Sequence, residues 1–145
     1  MVAASAFTRY VYANTTNLLK WTLGIVYLWF GALKFFSGLS PAEVLAKDTI
    51  RVLTFGLIPD DISLILLAIW EVTIGVLLLS GFRIRFAIKA ALVHMVFTFT
   101  PLLFFPELSF THAPYGFTII GQYIVKNLVF IVAMMIILKE EVPGK

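Results

Sequence analysis

The sequence predicts an all-α integral membrane protein: a four-transmembrane-helix bundle with a short interfacial helix on its outer side. Three observations predict it. Of the 145 residues, 61% are hydrophobic and 13% charged, and the mean hydropathy of +0.99 exceeds what a soluble domain of this length hides in one core. The apolar residues fall in four runs, at about 18–37, 62–80, 85–105 and 118–138, each near the roughly 20 residues that cross the hydrocarbon of a bilayer. The basic residues gather on one side of the membrane those runs define. A single membrane domain over residues 1–145 is the organisation expected.

The segment from Met1 to Asn17 holds one arginine and a few aromatic and polar residues. It lacks an apolar stretch followed by a small-residue cleavage site, so it reads as a retained tail. The first run follows, with Gly24, Gly31 and Gly38 spaced to keep one helix face small and Lys34 about a turn from the outer end. Ser40-Pro41-Ala42-Glu43 then supplies a helix start, with proline at the first helical position and an acidic first turn. A short helix at the outer surface is expected, with Val44, Leu45, Ile50, Val52, Leu53 and Phe55 in the interface and Lys47, Asp48 and Arg51 toward water.

The second and third runs are joined by a tight basic turn, Ser80 to Arg85. The third and fourth are joined by Pro106 to Gly116, a loop without a basic residue. Arg9, Lys20, Arg83, Arg85, Lys89, Lys139 and Lys145 all fall on the N-terminal side, while the opposite loops hold only Lys47 and Arg51. Both termini are therefore expected in the cytoplasm of a multi-pass protein.

Four titratable groups lie inside the runs: Lys34, Glu71, His94 and Lys126. A charge at mid-membrane costs about 2.5–3.5 kcal/mol on insertion scales, so each is expected to face protein or water and to have a partner. Glu71 precedes Gly75 by one turn on the same face and should point inward. Lys126 lies roughly 12 Å in from the outer end of its run, a depth similar to that of Glu71, and a Glu71–Lys126 ion pair is the first expectation. Lys34 either joins that pair or snorkels outward.

His94 shares a small, mildly polar face with Ala87, Ala90, Ala91, Thr98 and Pro101. It reads first as a hydrogen-bonded core histidine, with a proton carrier or quinone ligand as the alternative. A bis-histidine haem is disfavoured because His112 is in the outer loop, leaving Met95 as a second ligand. Gln122 and Lys126 sit one turn apart, with Asn127 beside them; they either bind helices together or line a small polar pocket. The absence of cysteine removes disulfides, thiolate catalysis, iron–sulfur clusters and cysteine-based zinc sites. No metal site is expected, and the scattered basic residues carry no nucleic-acid signal.

Several spaced features resemble the DoxX-like family of small four-span bacterial membrane proteins, over about Leu18 to Leu138. They are Gly24 with Trp29-Phe30-Gly31-Ala32-Leu33-Lys34-Phe35, Glu71 with Gly75 and Gly81-x-Arg83, and Gly121-x-x-x-x-Lys126-Asn127-Leu128. The resemblance implies a polar core of Lys34, Glu71, Lys126 and Asn127, with Gly31, Gly75 and Gly121 as packing positions. Gln122 stands where related sequences often carry a basic residue. It also implies the bacterial inner membrane and an association with quinone-linked oxidation, membrane oxidoreductase complexes and oxidative stress. The function expected is an accessory or anchoring subunit of a quinone-linked redox assembly, not itself catalytic. Its partners would be other membrane subunits and the lipid bilayer, with quinone as a candidate cofactor and none intrinsic. Two alternatives stand beside it: a quinone-binding oxidoreductase in its own right, and a transporter of a small solute or protons.

Overall fold

Ser5 opens the first helix of the computed structural model, which describes residues 5–141. Its hydroxyl accepts a hydrogen bond from the Thr8 amide at 3.2 Å, satisfying one of the donors that a helix start leaves open. Helix α1 then runs unbroken over Ala6–Leu33. The expected tail is thus helical from Ala6 onward; Asn14 and Thr15 bond back to the carbonyls of Tyr10 and Val11, which carries these polar residues within the helix. Met1 to Ala4, and Lys145 of the charge argument, lie outside the described residues.

After α1 the chain turns at Gly38, whose φ of +79° suits a residue without a Cβ. The short helix expected next follows as α2, Glu43–Leu53, beginning after the proline rather than on it. Its outward residues include Val44, 71% exposed, while Thr49 faces inward. Helix α3, Asp60–Ser80, stops at Gly81 in the left-handed conformation with φ +74°.

Helix α4 covers Ile84–Thr98 rather than the whole third run. Pro101 has no amide to donate to the Phe97 carbonyl, which instead takes the Thr100 amide at 3.2 Å and the Thr100 hydroxyl at 2.7 Å. The chain resumes as the single turns α5, Pro101–Phe104, and α6, Pro106–Ser109. The loop before the last helix also holds two short antiparallel strands, β1 (Phe110–His112) and β2 (Gly116–Phe117), a small departure from an all-helical chain. Helix α7, Ile119–Glu141, completes the fold.

The protein is therefore mostly helical, and three stretches are long and apolar enough to cross a membrane: Asp60–Ser80, Ile84–Phe104 and Ile119–Glu141. Helix α1 is longer than any of them, but its polar first half dilutes its hydropathy. It packs along α3 and touches α7, while α4 lies against both α3 and α7. Leu23, Tyr27, Ile74, Leu78, Ile88 and Met134 fill the space these helices enclose. Trp29, Phe86, Val96 and Val129 face outward, each more than half exposed, as suits a chain whose solvent is lipid.

Candidate functional site

The α1–α3 contact is built on glycines. A Cβ at Gly75 would lie 2.6 Å from the Leu28 amide nitrogen, and one at Gly31 would lie 2.8 Å from Cβ of Glu71. Only hydrogen at these positions lets the two backbones approach so closely. One turn beyond Gly31, the chain delivers Lys34 to the face of α3 that carries Glu71.

There Lys34 Nζ donates to Glu71 Oε2 at 2.6 Å and to the Phe30 carbonyl at 3.3 Å. Lys34 is 7% exposed and Glu71 6%, so the pair sits out of contact with lipid. The second carboxylate oxygen, Oε1, is 3.4 Å from His94 Nε2 on α4. On its other side, His94 Nδ1 is 3.2 Å from the Tyr27 hydroxyl, and that hydroxyl also lies 3.4 Å from the Ala91 carbonyl. An imidazole protonated only at Nε2 serves both neighbours, accepting from Tyr27 and facing its N–H toward Glu71. The four side chains form one connected polar centre, drawn from α1, α3, α4 and the residue that ends α1. The lysine and carboxylate charges cancel within it, which offsets much of the cost of placing either alone in a membrane.

The structure brings Lys34, Glu71 and His94 together and leaves Gln122 and Lys126 out. The expected Glu71–Lys126 pair is not made. Asn127 of α7 donates to the Thr98 hydroxyl on α4 at 3.0 Å, and that hydroxyl in turn donates to the Met95 carbonyl at 2.7 Å. Neighbouring residues on a helix point about 100° apart, so seating Asn127 against α4 turns Lys126 outward. Both Lys126 and Gln122 are exposed, and the ammonium lies 5.2 Å from the centre of the Tyr123 ring. Depth alone suggested Lys126 as the partner; rotation about α7 decided otherwise.

A second charged group pins α2 over the C-terminal end of α1 and the N-terminal end of α3. The Glu43 carboxylate accepts from the Gly38 amide at 2.7 Å and from Lys47 at 2.9 Å, and Lys47 reaches Asp61 at 3.4 Å. Arg51 pairs with Asp60 and Asp48. The Lys47 hydrogen bond, followed by the Gly38 amide, holds the Glu43 carboxyl below its usual range, and Glu43 in return holds the Lys47 ammonium above its own.

Tyr27 had escaped notice in the sequence, as had the inward turn of Glu43. The signal for Tyr27 was available, since Tyr27, Gly31 and Lys34 repeat at helical spacing on one face. Glu43 gave none, because an acidic first turn is ordinary at a helix start.

A family model described as DoxX matches residues 16–106. The match takes in Tyr27, Lys34, Glu71 and His94, and it ends before Gln122, Lys126 and Asn127, short of the extent to Leu138 suggested by the motifs. No curated protein and no solved structure matches the chain.

Proposed function

The chain belongs to the DoxX family of membrane proteins, and from that premise we propose that it is an accessory or anchoring subunit of a quinone-linked redox assembly in the bacterial inner membrane. The redox link comes from the family. The observation that carries the subunit reading is that the polar centre is closed. Lys34 and Glu71 satisfy each other, His94 bridges to Tyr27, and among the described residues no buried side-chain nitrogen or oxygen lacks a partner. A centre of this kind fixes how helices pack; it offers a quinone carbonyl no unengaged buried donor, so its residues do not fit the ring as they stand. Quinone contact in the assembly is accordingly assigned to other subunits or to surfaces shared with them.

In this reading α1 crosses the membrane beside the other three long helices, giving a four-span bundle with cytoplasmic termini. Lys20 near the middle of α1 meets Glu141 at 3.3 Å, and Arg85 at the start of α4 donates to the Glu141 carbonyl at 2.7 Å. Those contacts support placing Lys20 level with the inner ends of α4 and α7, on the basic side.

The test is extraction of the full-length tagged protein from its native membrane in mild detergent. The expected result is oxidoreductase subunits in stoichiometric amount, with slower quinone-linked respiration on deletion of the chain. A protein that migrates alone and whose loss leaves that respiration unchanged would overturn the proposal.

A further inference from the structure

We infer that the outward face of α7 around Lys126 receives a transmembrane helix of a partner subunit, and that this helix carries an aspartate or glutamate level with Lys126. The inference rests on the accessory-subunit reading and names the chemistry of its contact.

Lys126 follows Ile119, the first residue of α7, by seven positions, which puts its Cα roughly 10 Å below the helix start. Exposed apolar residues stand on both sides of it: Ile119 is 73% exposed toward the outer end, and Val129 is 71% exposed one turn deeper. The side chain leans toward Tyr123, as helical side chains do, yet Tyr123 itself lies about 6 Å below Ile119. The exposed apolar neighbours of Lys126 along the helix are thus Ile119, Tyr123 and Val129. Among the described residues no carboxylate pairs with it, and the ammonium lies over the Tyr123 ring, 5.2 Å from its centre. Gln122, one turn toward the outer end, adds an exposed amide to the same face.

Lipid tails supply no anion at this depth. A second copy of the chain supplies none either. Of its eight acidic residues, Glu71 is buried and engaged by Lys34 and His94. Glu43 and Asp48 lie in α2, Asp60 and Asp61 at the start of α3, Glu107 in the outer loop, and Glu140 and Glu141 at the inner end of α7. A two-fold contact through this face would also set Lys126 level with its own copy, like charge against like. A carboxylate on a different helix meets both needs: it neutralises the ammonium, and the side chain of Gln122 adds a hydrogen bond beside the pair.

The experiment places a photo-reactive residue at Val129 in the full-length protein in its native membrane, with a control at Val93 on the exposed side of α4. After illumination, adducts are purified and identified by mass spectrometry. The expected result is one partner subunit joined at position 129, its joined span carrying Asp or Glu. Yield should fall at least fivefold in Lys126→Met, hold in Lys126→Arg, and return when Lys126→Glu is combined with the partner's carboxylate changed to lysine. A dimer of this chain, a partner span without an acid, or undiminished yield in Lys126→Met overturns the inference. If redox subunits co-purify while position 129 gives lipid adducts alone, the α7 inference fails and the subunit reading stands. If neither appears, both fail.

Discussion

Replacing Gly75 with alanine tests whether the glycine contact between α1 and α3 is what assembles the polar centre. The added Cβ would lie 2.6 Å from the Leu28 nitrogen, 2.9 Å from the Gly24 carbonyl oxygen and 2.9 Å from Leu28 Cα, where ordinary contact begins at 3.4 Å. All three atoms belong to backbone, so no rotamer change relieves the overlap and the helices must part. Gly24 provides the comparison on the same interface. Its added Cβ meets chiefly the Leu79 side chain, at 2.8 and 3.0 Å, with the nearest backbone atom at 3.2 Å, and a leucine end can swing aside.

Overpacking a well-filled contact costs about 1–3 kcal/mol. Gly75→Ala belongs at the upper end, about 2–3 kcal/mol, and Gly24→Ala at about 1 kcal/mol. Both are measured by unfolding in the same detergent micelles with a denaturing surfactant titration. Equal losses, or a larger loss for Gly24→Ala, would show that backbone proximity at Gly75 is not what limits the approach of α1 to α3.

Three further outcomes follow from the same structure. Glu71→Gln or Lys34→Met alone should destabilise by about 3–5 kcal/mol, because each strands a buried charge; the double variant Lys34→Met with Glu71→Met should be less damaging than either, and additive losses in a double-mutant cycle would refute the pairing. Asn127→Leu should cost about 0.6 kcal/mol, the usual worth of one interhelical hydrogen bond in a membrane, and the loss should vanish in a Thr98→Val background. At α2, Glu43 contributes stability above its ordinary value of 4.5, and the contribution is lost as pH falls through its depressed folded value. Lys47, held above 10.5, loses its share only as pH rises past that value. A label on Val44→Cys, specific because the chain has no cysteine, should report α2 as anchored from about pH 5 to 10 and loosened in acid; Glu43→Gln should remove the acid transition.

How much of this was legible in the sequence depended on whether a feature is set along a helix or around it. Run length and hydropathy identified the long apolar helices α3, α4 and α7, because spanning a bilayer is a requirement on consecutive residues. The short helix α2 was readable from Pro41 and Glu43, and the inward turn of Glu71 from its spacing to Gly75. Depth along the helices placed Lys126 beside Glu71, but depth does not fix rotation. Asn127 and Lys126 are adjacent and equally deep, and which of them faced the bundle was settled by the hydroxyl that Thr98 offers on α4. The break after Thr98 was likewise written in Pro101, yet a hydropathy run passes through a proline without registering the lost amide. The hairpin between Phe110 and Phe117 was illegible for a different reason: its strands are three and two residues long, too short for alternation to show.

The choice of Lys34 over Lys126 as the partner of Glu71 separates two tasks that depth along the helices had combined. With Lys34 at the end of α1, the pair is closed between two helices that glycine brings close, and its charge is cancelled without any residue of α7. Within the bundle, helix α7 is then held by uncharged contacts, the Asn127–Thr98 hydrogen bond and the packing of Ile124, Met134 and Ile137, with Lys20 and Arg85 engaging Glu141 at its C-terminal end. Its own lysine is spared any duty inside the bundle. Had Lys126 been needed to neutralise Glu71, the outward face of α7 around it would carry no charge, only the Gln122 amide among apolar side chains. Because it is not needed there, the same residue gives that surface a charge at a fixed depth, and a charge at fixed depth in a membrane discriminates among partner helices in a way that an apolar face does not.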